Sequence, residues 1–191
     1  LGDQYRMCAP ISELVSAAFY DGRLHPGSVA VAEQHLGQLL ERVGGRPPAE
    51  PFARAVCEPR HPVILVDTSR DSAASDTVSL LARNESRDNA REAVLIAELV
   101  TALLGPPDGD AQIALAAEIG IISPYRRQNN RIRQELAERL GPLSDQIRVD
   151  TVDRFQGGER DIVLLSLVAS NPGNSMGSLH ADGRRMTVAI S

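Results

Sequence analysis

Asp150-Thr151-Val152-Asp153-Arg154-Phe155-Gln156-Gly157-Gly158-Glu159-Arg160-Asp161-Ile162-Val163-Leu164-Leu165-Ser166 sets a polar turn between two apolar runs. Ile147 to Val152 reads as a short strand. Ile162 to Val168 is a continuous run of β-branched residues and leucine, the pattern of a strand buried on both faces of a parallel sheet. Gly157 and Gly158 let the backbone approach a ligand closely, and the acid Glu159 stands just past them. Ligands of open α/β sheets collect in the crevice at the carboxyl ends of the strands, where this turn belongs. On spacing alone, the stretch reads more readily as a surface connection that uses Gly-Gly to turn.

Outward from it, apolar runs alternate with helical patterns. Ile11, Leu14, Val15, Ala18 and Phe19 form one helix face, and Asp21-Gly22 closes that helix. Val29 to Val43 is a helix candidate ending at Gly44-Gly45, and Val63 to Asp67 reads as a buried strand. Residues 28–62 and 68–88 are otherwise variable or loop-rich. A strong helix begins at Asn89, with Ala93, Ile96, Ala97, Val100, Leu103 and Leu104 on one face. Ala117 to Ser123 is the next strand, and Pro124 opens a helix whose buried stripe is Tyr125, Ile132, Leu136 and Leu140. A Gly-, Asn- and Ser-rich loop over 171–183 precedes a last strand, Met186 to Ile190. Such alternation implies right-handed crossovers and a parallel sheet of about five strands.

The chain of 191 residues can bury one sizeable core. Its net charge of −5 argues against a histone-like binder but not against a local basic groove. All twenty basic residues are arginine, which excludes a Schiff-base lysine or a lysine-bearing phosphate loop in this chain. Cys8 and Cys57 read as free thiols of a reducing cytoplasm, and His25, His35, His61 and His180 lack metal-ligand spacing, so no metal site is expected. No signal peptide is visible, and no apolar run reaches the ~18 residues of a membrane span.

Three stretches in order resemble the superfamily 1 helicases, in the branch of the nonsense-mediated-decay helicase and senataxin. They are Gln4-Tyr5-Arg6-Met7, leading to Phe19-Tyr20-Asp21-Gly22-Arg23-Leu24; Ile121-Ile122-Ser123-Pro124-Tyr125-Arg126-Arg127-Gln128; and Thr151 to Glu159 with its following strand. Asn89-Ala90-Arg91-Glu92-Ala93 is a weaker match between the first two.

The resemblance implies a RecA-like fold of the P-loop NTPase type, without a phosphate loop of its own. It makes residues 1–191 the C-terminal, second motor domain of a larger protein, with ATP and Mg bound mainly by an N-terminal RecA-like domain. Arg6 would reach the γ-phosphate, Tyr5 would stack on adenine beside Gln4, Gly158 would lie near the phosphates and Glu159 would hold the ribose. A planar guanidinium suits the equatorial oxygens of a transferring phosphoryl group. Single-stranded DNA or RNA would cross at Ser123, Pro124, Tyr125, Thr151 and Asp153, since hydroxyls and helix N-termini are natural phosphate ligands. Arg126, Arg127, Arg131 and Arg133 share one helix there; Arg131 and Arg133 read more readily as a solvated face paired with Glu135 and Glu138.

Cys8-Ala9 replace the family's usual His-Pro, Ala169 replaces a frequent arginine, and Thr187 replaces an asparagine. The last motif's arginine finger would follow Ser191, so the chain reads as a fragment of a helicase that hydrolyses nothing alone. The alternative is a non-catalytic nucleic-acid- or protein-binding module retaining the fold. An unrelated α/β enzyme leaves Gln-Tyr-Arg-Met unexplained.

Overall fold

The computed structural model describes residues 2–58, 60–68, 70–71, 77–79, 86–106, 109–170 and 183–190. It is an α/β structure with parallel sheets flanked by helices, consistent with a RecA-like fold. The elements are β1 (Asp3–Gln4), α1 (Ala9–Phe19), β2 (His25–Pro26), α2 (Val29–Ala32), α3 (Leu36–Val43), α4 (Pro51–Val56), β3 (Thr77–Ser79), β4 (Ser86–Asp88) and α5 (Ala90–Leu104). There follow α6 (Gly109–Ala117), β5 (Ile119–Ser123), α7 (Arg126–Leu140), a 3-10 turn (Gly141–Gln146), β6 (Arg148–Thr151), α8 (Val152–Phe155), β7 (Ile162–Leu165) and α9 (Gly183–Ile190).

The central sheet is parallel, in the order β6-β5-β7, with Ile122 opposite Asp150 on one side and Leu165 on the other. β5 is buried throughout, and its side chains alternate between two clusters. Ile119 and Ile121 face a core shared with Ala97 and Val100 of α5, Leu115 of α6, and Ile132 and Leu136 of α7. Ile122 faces Val152, Phe155 and Ala189. Gly120 is bare because the Phe155 ring lies on it: a Cβ there would collide with that ring.

Several expectations are corrected. β7 ends at Leu165 and pairs only with β5 among the described residues, so Val163 is 43% exposed rather than buried on both faces. Val63 to Val66 is exposed (Leu65 79%) and unpaired in the described structure; an apolar run specifies a strand only where an edge accepts it. Met186 to Ile190 lies in helix α9, since five apolar-rich residues fit either period and Ala189 packs as a helical knob against α8. Three parallel strands, rather than five, are described in the central sheet. Ala117 ends α6, which the sequence reading passed over, and the strand begins at Ile119. Likewise Val152 starts α8 rather than closing β6.

The 29–43 helix is two, α2 and α3, with the His35 N–H donating to Gln38 Oε1 (3.3 Å) at the restart and Gly44 closing at φ 73°. The buried side of α1 is Ser12, Val15 and Ser16, while Leu14 is exposed. Polar residues turn inward there because Ser16 Oγ accepts from the Leu24 N–H (2.9 Å), tying down the chain that returns to β2. The expected loop over residues 171–182, like most of the loop after residue 71, lies outside the described residues.

Asp88, 1% exposed at the end of β4, anchors α7. Arg131 Nε donates to its Oδ2 at 2.6 Å, and Arg127 Nε lies 2.7 Å from its Oδ1. Breaking a buried ion pair by removing one partner strands charge and costs about 3–5 kcal/mol. Both arginines keep access to water, so Asp88→Ala is predicted to cost about 2 kcal/mol in urea denaturation. Arg127→Ala alone costs less, because Arg131 still neutralises the carboxylate.

Candidate nucleotide and strand site

Gln4 shapes the turn that carries Tyr5 and Arg6. Its Oε1 accepts from the N–H groups of Arg6 (2.8 Å) and Met7 (2.7 Å), and its Nε2 donates to Met7 O (2.7 Å). β1 pairs in parallel with β2, and the Gly27 N–H donates to Gln4 O at 2.7 Å. That pairing sets Gly27 directly under the Tyr5 ring, where any Cβ would overlap it. Tyr5 is 69% exposed, so its ring is supported on one face and open on the other.

Arg6 reaches Glu159, 153 positions away in sequence: Nε donates to Oε1 at 2.9 Å, and a second guanidinium nitrogen lies 2.9 Å from the same oxygen. Their side chains are 43% and 71% exposed, so the pair is worth at most about 1 kcal/mol and exchanges readily for a better ligand. A guanidinium and a carboxylate from opposite ends of the chain thus share one surface.

Gly157, at φ 81°, takes a backbone conformation that side chains disfavour. Gly158 is bare for a different reason: Arg148 Nη1 occupies the place of its Cβ. The Arg148 guanidinium stacks 4.4 Å from the Phe155 ring centroid and donates to Arg154 O at 2.6 Å. Arg148 went unnoticed in the sequence because nothing local marks it; it reaches Gly158 only through the fold of the α8 turn.

At the other end of β6, Ser123 is fully buried. Its Oγ lies 2.9 Å from Asn129 Oδ1 and 3.0 Å from Tyr125 O, and accepts from the Tyr125 N–H at 3.3 Å, organising the start of α7. Tyr125 is buried and Pro124 half-buried, while Asp153 is exposed. Thr151 opens onto a cleft of about 180 Å³ lined also by Arg126, Asn130, Arg133, Asp150 and Arg154. Arg133 is therefore no part of a Glu135–Glu138 face: its guanidinium donates to Val149 O and to Asn130 Oδ1 (3.1 Å). Glu135 pairs with Arg139, and Glu138 accepts from Gln134.

A buried polar network ties the starts of α5 and α7 to the end of β7. Gln128 Oε1 accepts from the Asn89 N–H (2.8 Å), and its Nε2 donates to Asn89 O (3.2 Å) and Ser166 Oγ (3.1 Å). Glu92 Oε2 accepts from Ser166 Oγ (2.6 Å) and from the N–H of Val168, a β-branched residue held at φ 68°. The glutamate offsets a conformation that is costly for valine.

Cys57 is partly buried, and that burial pushes its thiol pKa up; Cys8 is buried and both are free. Among the described residues no three metal-ligating side chains converge, and no helix is long and apolar enough to cross a membrane.

Comparison with known proteins matches the AAA-domain family across residues 1–191. Curated relatives are the DNA replication ATP-dependent helicase/nuclease DNA2 of Homo sapiens, 31% identical over 98% of the chain and 17% of that protein, and Helicase SEN1 of Saccharomyces cerevisiae, 32% identical over 98% of the chain and 7% of that protein. Regulator of nonsense transcripts 1 homolog of Arabidopsis thaliana is 32% identical over 98% of the chain and 13% of that protein. The chain thus spans well under a fifth of the length of these relatives.

Gly158→Ala, by displacing Arg148, is predicted to cost about 1–3 kcal/mol. In an Arg148→Ala background the same change costs about 1 kcal/mol less, a coupling that urea denaturation of the four variants measures. Equal costs in both backgrounds would show that the two residues do not compete for that space.

Proposed function

The chain belongs to the AAA-domain family, among the superfamily 1 helicases, and we propose that it is the second RecA-like motor domain of an ATP-dependent helicase. In this reading residues 1–191 act as one domain against an N-terminal RecA-like domain of the same protein, with ATP in the cleft between them and single-stranded DNA or RNA as track. The observation that carries it is the meeting of Arg6 and Glu159, 153 positions apart, at 2.9 Å. Two residues that the resemblance makes nucleotide contacts, from opposite ends of the chain, stand side by side on one surface.

ATP gives Arg6 and Glu159 better partners than each other. Arg6 turns to the γ-phosphate, where a guanidinium neutralises charge that grows in the transition state. Glu159 is released to accept from the ribose hydroxyls, Tyr5 offers its open face to adenine, and Gly158 lies by the phosphates. In this reading magnesium, like ATP, would be held mainly by the N-terminal motor domain. Closure on ATP and reopening after hydrolysis would step the strand along Ser123, Pro124, Tyr125, Thr151 and Asp153. A reducing, cytoplasmic setting fits the two free cysteines.

The test is ATP hydrolysis by the intact protein with and without a single strand. Strand-stimulated turnover is expected, and Arg6→Ala should lower it by about a hundredfold or more while the fold survives. Gly27→Ala, which displaces the Tyr5 ring, should weaken ATP binding with a smaller effect on turnover at saturation. No turnover in the intact protein, or turnover indifferent to Arg6, would leave a retained binding scaffold in place of a motor.

A further inference from the structure

The weaker match to the helicases, Asn89 to Ala93, has no role in the proposed function. It stands against a strained piece of backbone. Of the two non-glycine residues at positive φ among the described residues, Asp21 is exposed and of a type that tolerates it. Val168 is β-branched and fully buried. The Ala169 N–H donates to Leu167 O at 2.7 Å, closing a γ-turn around Val168 at φ 68°, the hand that is rare and strained. Strain of this kind persists only where the surroundings over-determine it, and it gathers at functional sites.

One carboxylate over-determines it. Glu92 Oε2 accepts from the Val168 N–H (3.0 Å) and from Ser166 Oγ (2.6 Å), while its Oε1 accepts from Asn89 Nδ2 (3.2 Å). Both oxygens face donors, so only a carboxylate satisfies all three; an amide has to turn its own donor towards one of them. Ser166 Oγ, its proton given to Glu92, accepts from Gln128 Nε2 at 3.1 Å, which leaves Gln128 Oε1 for the Asn89 N–H (2.8 Å). Gln128 is fully buried in the first turn of α7, beside Asn129, whose Oδ1 lies 2.9 Å from Ser123 Oγ.

We propose that Glu92 is a positioning residue: by holding the turn at Val168 and, through Ser166, the orientation of Gln128, it couples the nucleotide surface at the start of β7 to the first turn of α7. The inference rests on the motor reading and gives it a coupling element that touches neither ligand. β7 is the body the two ends share. Glu159 precedes it, Ser166 follows it, and its pairing with β5 from Ile162 to Leu165 makes those ends move together. A shift at Glu159 reaches α7 only while the far end of the strand is held, and Glu92 holds it.

Coupling is a ratio of affinities and is the same in both directions. The experiment measures binding of a non-hydrolysable ATP analogue to the intact protein with and without saturating oligodeoxythymidine or oligouridine, and binding of each oligonucleotide with and without the analogue. The unaltered protein should show a coupling of about 5–150-fold. Glu92→Gln should cut it by about fivefold from either direction, and leave analogue affinity without a strand within about twofold of its original value. Val168→Gly in that background should restore most of the coupling, because glycine takes a positive φ without the clamp. Ser166→Ala should lose the coupling too, but there Val168→Gly should restore nothing, since the link to Gln128 is gone. A general loss of stability cannot be repaired by deleting a buried valine side chain, so the rescue separates positioning from packing.

Unchanged coupling in Glu92→Gln would overturn the proposal and leave the motor reading standing, as would a Val168→Gly change that weakens coupling further. If Glu92→Gln does not fold, Ser166→Ala decides: unchanged coupling there overturns the proposal. Absence of coupling between nucleotide and strand in the unaltered protein would sink both readings together.

Discussion

The Phe155 ring lying on the bare Cα of Gly120 fixes the functional face of this domain. β5 is buried on both sides, and a glycine at its second position makes room for an aromatic ring where any side chain would collide. Burying a phenylalanine contributes about 2–3 kcal/mol and, more to the point, pins the turn that follows it. Gly157, Gly158 and Glu159 leave that anchor in a defined direction, Arg148 stacks on the ring, and Glu159 arrives within reach of Arg6. Without the anchor, α8 keeps Val152 against Ile122 but loses the ring that seats it on Gly120.

Charge is organised on top of that frame. Arginines with structural work are paired: Arg42 with Glu118 and Asp161, Arg91 with Asp71, Arg127 and Arg131 with Asp88. The Arg6–Glu159 ion pair is exposed and weak, a contact that a ligand can exchange. Over the cleft at the far end of β6 the arginines have no carboxylate partner among the described residues. An acidic chain with this distribution concentrates positive charge at that cleft and neutralises it at those pairs.

Much of this was legible in the sequence, for physical reasons that differ by residue. The stripes of α5 and α7 follow from burial against one layer and the unbroken run of β5 from burial on both faces, so both patterns show in a local window. Arg6 and Glu159 were legible only through family resemblance, since no periodicity links positions 153 apart. Val63 to Val66 carries a strand's composition but finds no edge among the described residues, and α9 carries a run too short to separate the two periods. Arg148 was not legible as a site residue at all, and Arg133, one of four arginines placed near the strand, read more readily as part of a solvated face. Their roles depend on which way α8 turns and how α7 rolls over β6, tertiary facts that no local pattern encodes. The inward serines of α1 belong to the same class, being set by the chain that returns at Leu24.

The shared nucleotide surface is tested most directly by equilibrium binding of ATP and of 2′,3′-dideoxy-ATP to the intact protein, unaltered and as Glu159→Ala. With Glu159 on the ribose, the unaltered protein prefers ATP by about tenfold, the scale of a hydrogen bond to a charged group, and the variant loses that preference. The same preference in the variant, or none in the unaltered protein, would contradict the placement of Glu159 and with it the site it forms with Arg6.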